Sequence, residues 1–178
     1  MKKFFFGIAF LIFSVQVLLG LVQYYELNHT YNQLKRISEL ASGAAVLYVD
    51  KYAFGTGETI YNHTEGNKAI KEVIKTNLNL NDSMYFIGKS DKFKEKVEYT
   101  SYYFDANNKL TVYKDGVFQK QEDISYPYQF KDNIKSYIKT INYPTVCTTI
   151  DIGKYNSFNE LFSNTIIVRV AAHETLGD

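Results

Sequence analysis

The sequence predicts an α+β protein. An N-terminal transmembrane helix continues into a long amphipathic helix, which packs with a second short helix on an antiparallel sheet of about five strands. Three observations predict this. Residues Phe4 to Val22 carry no charge. Apolar residues then recur at spacings of three and four up to about Phe54, the period of one helical face. From Ser83 onward the period changes to two, that of a strand. The chain divides accordingly into an anchor, residues 1–23, and one outer domain, residues 24–178.

Phe4 to Val22 spans about 28 Å as a helix, close to the roughly 30 Å of bilayer hydrocarbon. Lys2 and Lys3 precede it, so the positive-inside rule puts the N-terminus in the cytoplasm and the remainder outside the cell membrane. Tyr24 and Tyr25 fall where an interfacial aromatic belt belongs. A cleaved signal peptide is the alternative. It calls for a shorter apolar run followed by small residues of the A-x-A kind, whereas this run ends VLLGLVQ. Gly20 could precede a cut, Leu18 is a poor residue two places earlier, and no cysteine follows for a lipoprotein anchor.

Beyond the membrane, Leu27, Tyr31, Leu34, Ile37 or Ser38, Ala41, Ala44 or Ala45, and Tyr48 form one apolar stripe. Lys35, Arg36 and Glu39 lie mostly on the other side. No proline interrupts, and the first breaker is GTGE at Gly55. The expectation is one helix from about Phe4 to about Phe54, about 75 Å long. Two surfaces could cover its stripe: the protein's own sheet, or neighbouring copies packed through the small residues of ASGAA.

This arrangement of a short basic start, one apolar helix and the block LASGAAVLYVD resembles the pilin-like membrane proteins of the TadE/TadG type, over about residues 4 to 54. In that family the N-terminal helix ends in an alanine-rich stretch, and members assist the assembly of thin adhesive pili or related secretion machines. The resemblance implies a pilin-like fold, a structural or assembly role, and partners among membrane, pilus or secretion subunits, including further copies of the chain. Two departures stand out. Asp50 follows the alanines, where the family places an Asp ahead of them. A prepilin-peptidase site is missing, because no acid follows Gly7 within the apolar run.

In the outer domain, Gly55 to Gly66 reads as a loop. NKAIKEVIKTNLNL reads as the second helix, with Asn67 as N-cap. MYFIG, VEYTSYYFD and KLTVYKDG read as strands. Asn107-Asn108 and Asp115-Gly116 are turns that tolerate left-handed backbone. FKDNIKSYIKTI is ambiguous, since Phe130, Ile134, Tyr137 or Ile138, and Ile141 fit a helix. YPTVCTTIDIG is a strand, SFNELF a helical turn, and SNTIIVRVAAHE a closing strand. Sixteen tyrosines suit a half-buried sheet surface.

Charge and motifs exclude several functions. Net charge is +1, and setting aside Lys2 and Lys3 leaves 18 basic against 19 acidic side chains. No basic face for nucleic acid results; in KSDKFKEKVE, acids interleave with the lysines. His29, His63 and His173 make no metal-binding pair. Asp105, Asp115, Asp123, Asp132 and Asp151 mostly flank turns. Cys147 is the only cysteine, so no intrachain disulfide forms, and its strand context suggests a small buried hydrophobe. There is no G-x-S-x-G, Walker A or G-x-G-x-x-G pattern. No catalytic residue, cofactor or metal is therefore expected. The absence of Trp and the wealth of Asn, Lys, Ile and Tyr read as the bias of an AT-rich bacterial genome. The leading expectation is a membrane-anchored, pilin-like component of a bacterial surface pilus or secretion apparatus. The alternatives are a scaffold subunit of a conjugation or type IV secretion channel, of the VirB8 kind, or a ligand-sensing anchored domain. An anchored hydrolase finds no candidate constellation.

Overall fold

The computed structural model describes residues 2–55, 57–88, 93, 95–131, 137–155 and 165–174. Helix α1, Lys2–Val46, runs unbroken from the apolar start into the amphipathic half. Its 45 residues make it roughly 68 Å long. The first part touches nothing: Phe10 is 68% exposed and Leu18 63%. From Gln23 onward the helix meets the rest of the protein: Gln23 is buried, and so are Leu34, Ile37, Ala41 and Ala45.

The helix stops earlier than the expected Phe54. Asp50 is a helix-start signal in the middle of the stripe. Its carboxylate accepts hydrogen bonds from the backbone N–H of Tyr52 and Ala53, at 2.9 and 3.1 Å. It thereby caps a separate short helix, α2, Lys51–Gly55. Ahead of it Val49 pairs with Tyr61 in an antiparallel bridge. Helix α3, His63–Leu78, is capped by Asn62, which accepts from Glu65 N–H at 3.2 Å. The expected cap, Asn67, lies a turn inside, buried, where it receives the Ser101 hydroxyl. Asn79 ends α3 in the left-handed conformation, φ 52°, its N–H directed to the Lys75 and Thr76 carbonyls.

Strands β1 (Glu98–Asp105), β2 (Lys109–Lys114) and β3 (Val117–Asp123) form a meander. Asp115 and Gly116 both take positive φ, 51° and 78°, in the tight turn between β2 and β3. Strands β4 (Tyr128–Lys131) and β5 (Ile138–Ile141) pair as a separate two-stranded sheet. The ambiguous segment FKDNIKSYIKTI thus ends in strands at both sides, and its residues 132–136 lie outside the described residues. Strands β6 (Thr145–Tyr155) and β7 (Thr165–Glu174) complete the main sheet, in the order β3-β2-β1-β6-β7, antiparallel throughout. MYFIG forms no strand: Met84 has φ 66°, and Phe86 makes only an isolated bridge to Leu80. SFNELF lies outside the described residues.

The main sheet is covered on both faces. Helix α1 lies across β6 and β7 and against α3. Between the helices and the sheet lie Ile70, Ile74, Tyr103, Val146 and Ile150. The opposite face holds a second core of Phe104, Leu110, Phe130, Ile141 and Cys147, closed by β4 and β5. Neighbours in sequence, Tyr103 and Phe104 or Val146 and Cys147, therefore enter different cores, as the strand period of two requires.

Candidate functional site

The α1 seam comes first, because the sequence points to it. Leu34, Ala41 and Ala45 are fully buried in the helix–sheet core, and Leu27 and Tyr31 pack against it. Ala44 is half-buried. Tyr48 is not on the seam: it follows the end of α1 and is 43% exposed. The reason is the Asp50 cap, which turns the chain before Tyr48 can complete the stripe. Ser38 donates its buried hydroxyl to the Thr148 carbonyl of β6. Gly43 faces the His173 ring of β7, whose nearest atom stands 3.8 Å from where a Cβ would be. Most of the small-residue block thus lies within the protein's own core.

At the lower end of the seam, nearest the apolar half of α1, the Tyr155 hydroxyl donates to Glu26 at 3.0 Å. Burial first, and the Glu26 bond second, push this phenol up to about 12. Phe93 packs on Tyr155 with ring centroids 5.6 Å apart, and Phe86 stacks on Phe93 at 5.1 Å.

A polar knot lies at the other end of the sheet. His63 Nε2 and Asp105 Oδ2 are 3.2 Å apart. The Tyr113 hydroxyl is 3.2 Å from His63 Nδ1. With the ring proton on Nε2, His63 donates to the carboxylate and accepts from the phenol, so both ring nitrogens are used inside the protein. Asp105 also accepts from Tyr61 N–H at 2.9 Å, and its carbonyl from the Tyr126 hydroxyl at 3.0 Å. Asp105 is 2% exposed. Nothing near His63 or Asp105 in sequence signals this pairing. A strand of 44 residues' separation brings Tyr61 and Asp105 together, and only the tertiary arrangement creates the site. The carboxylate–imidazole–phenol chain has the order of a proton relay, but its hydrogen bonds face inward. Its evident work is to tie the start of α3 to β1 and β2.

A shallow open cavity of about 270 Å³ is lined by Glu95, Lys96, Glu98, Asp151, Gly153 and Lys154. Its charges are largely paired. Lys96 meets Asp115 at 2.6 Å and Lys114 meets Glu98 at 2.7 Å. Burial, aided by Glu98 and Glu95, raises the Asp151 carboxyl above its ordinary range, against the pull of a hydrogen bond from Gly153 N–H. Among the described residues, no group of three or more His, Cys, Asp or Glu is arranged to hold a metal ion. His29 and His173 do not join His63, and Asp115 and Asp151 serve turns and ion pairs.

No family model matches this chain, and no curated protein or solved structure matches it either.

Proposed function

We propose that the protein is a membrane-anchored, non-enzymatic structural or assembly component of a bacterial surface apparatus, a pilus or a secretion machine. One observation carries this reading. A single helix, Lys2–Val46, is apolar and without a buried residue from Phe4 to Val22 and forms a wall of the domain core over its second half. Its 18-residue apolar window has mean hydropathy 2.5 and no buried residue. Such a helix joins bilayer and domain as one stiff body, which suits a protein that transmits position or force rather than one that turns over a substrate. The N-terminus then lies in the cytoplasm and the sheet domain outside.

Within this reading the seam favours an assembly or scaffold component held in the membrane over a subunit buried in a filament. Ala41, Ser42 and Ala45 are already buried inside the protein's own domain. The outward face of the same stretch carries Lys35, Arg36 and Glu39. Neighbouring helices in a filament core need small or apolar faces to approach, and here only the membrane half offers one.

The test follows the full-length protein in its own cell. Cells are sheared, filaments are separated from membranes, and the intact mass is recorded in each fraction. Membrane-only protein with an intact N-terminus supports an assembly or scaffold component. Protein in the filament fraction makes it a pilus subunit. A mass lacking the first twenty or so residues in a soluble fraction overturns the anchor itself.

A further inference from the structure

Past Asp151 the end of β6 loses its neighbour on one side. Strand β1 pairs with β6 from Phe104–Thr145 to Glu98–Asp151 and no further among the described residues. A bulge follows. The register with β7 shifts between Asp151 and Lys154, and Gly153 turns to φ 74°. Carboxylates answer the N–H groups here in place of a strand. Asp151 accepts from Gly153 N–H at 2.8 Å, and Glu95 accepts from Lys154 N–H at 3.1 Å. The approach is close: a Cβ on Gly153 would stand 2.7 Å from the Glu95 Cβ. Directly after the bulge, the Tyr155 hydroxyl joins β6 to Glu26 of α1.

Charge reaches Asp151 from β1, from the segment ahead of it, and from β2. On β1, Glu98 stands directly opposite in the ladder, where like charges work against pairing. Glu95 and Lys96 come from the segment ahead of β1, and Lys114 from the end of β2. On β7 the residue opposite is the buried, apolar Val168. Two of the cations are engaged elsewhere: Lys114 meets Glu98 at 2.7 Å and Lys96 meets Asp115 at 2.6 Å. Lys154, on β6 itself, lines the same open cavity. Three carboxylates thus converge on one bulge. Burial raises the Asp151 carboxyl above its ordinary range; the Gly153 bond and Lys114 oppose this, and Glu98 and Glu95 add to it.

We propose that the bulge of β6 is a proton-operated fastening between the sheet and α1: a proton on Asp151 lets Glu95 close on Lys154, and its release loosens residues 153–155 and with them the Tyr155–Glu26 contact. With the proton in place two anions remain at the bulge, and Lys114 answers one of them. Without it three anions crowd together, and Glu95, which is exposed, can turn away into solvent. The direction follows from the burial of Asp151. An opened chain gives up this proton at lower pH than the closed one. The fastening is therefore complete below the ordinary Asp range and weakens as pH rises through the raised one.

Hydrogen exchange of single amides reads the fastening. It is followed by NMR on the full-length protein in micelles, and each rate is divided into the intrinsic rate at the same pH to give a protection factor. Two amides are compared: Lys154 at the bulge, and Cys147 in the middle of β6, where β1 and β7 lie on either side. Lys154 is expected to be less protected than Cys147, and to lose about threefold or more of its protection between about pH 4 and about pH 7. In Asp151→Asn the loss disappears. In Glu98→Gln it moves to lower pH, because a neighbouring anion has gone. In Glu95→Gln the Lys154 protection is reduced at every pH. Protection of Lys154 that stays flat in the parent, or falls equally in Asp151→Asn, overturns the fastening. Equal protection of Lys154 and Cys147 overturns it too, since the bulge then opens only with the whole domain. Should Asp151→Asn fail to fold, Glu98→Gln decides alone: a loss of protection at unchanged pH rejects the proposal.

Discussion

Asp105 accepts hydrogen bonds that originate in three places: Tyr61 ahead of α3, His63 within it, and Tyr126 ahead of β4. Asp105→Ala leaves the Tyr61 N–H and the His63 ring without their acceptor, so a loss of about 3 kcal/mol is expected in denaturant unfolding of the full chain in micelles. Tyr103 gives the opposite case. Its buried hydroxyl makes no close hydrogen bond, with Ser101 near enough for at most a weak one, and it stands 2.7 Å from where a Cβ on Gly66 would be. Gly66→Ala should cost about 1–3 kcal/mol through this overlap. Tyr103→Phe should be neutral or stabilising and should recover most of the Gly66→Ala loss in the double variant; additive effects would show that the hydroxyl is not the obstacle. Asp151 carries a pH prediction. Its carboxyl is raised in the folded state, mainly by burial. The folded protein therefore keeps that proton to higher pH than the unfolded chain does, and stability from this group falls as pH rises through the window above the ordinary Asp value. Asp151→Asn removes the fall. Its stability relative to the parent should improve between about pH 3 and about pH 7, and a constant difference over that range would rule the account out.

At the scale of elements, α1 does two jobs with one periodicity. The buried stripe and the outward face should respond differently to the same truncation. Leu34→Ala opens a cavity in a fully buried position and should cost about 2–5 kcal/mol. Leu40→Ala, at 56% exposure, should stay within about 0.5 kcal/mol. The small-residue block has a steric reason: Ser38 and Gly43 let β6 and β7 lie close under the helix, and Ala41 and Ala45 are fully buried in the same core. Ala41→Leu is expected to destabilise by about 1–3 kcal/mol through overpacking rather than to stabilise by added apolar surface. The same unfolding measurement distinguishes the signs.

Across the whole molecule, a three-layer domain of helices, five-stranded sheet and two-stranded sheet stands on one helix. None of the apolar surface between Phe4 and Val22 contributes to its core. Deleting residues 1–22 should therefore leave the unfolding midpoint of the domain unchanged while removing its partition into membranes. A lowered midpoint would mean that the apolar half packs on the domain in solution. Under the proposed anchor reading, the unbroken helix between Val22 and Leu27 would pass any tilt of the anchor on to the sheet.

The long helix, the strand meander, both tight turns and the burial of Cys147 were legible in the residues, because periods of 3.6 and two and turn-forming Asn-Asn and Asp-Gly pairs act locally. The choice of the protein's own core as cover for Ala41 and Ala45 was open at that level, since an apolar stripe does not say what meets it. The end of α1 was misplaced because Asp50 acts as a cap for α2, a competing local preference that the stripe conceals. The pairing of Asp105 with His63, the two-sided burial of β6, and the meeting of Tyr155 with Glu26 have no local signal. They arise when strands distant in sequence are brought side by side, and long-range packing alone sets which side chains then meet.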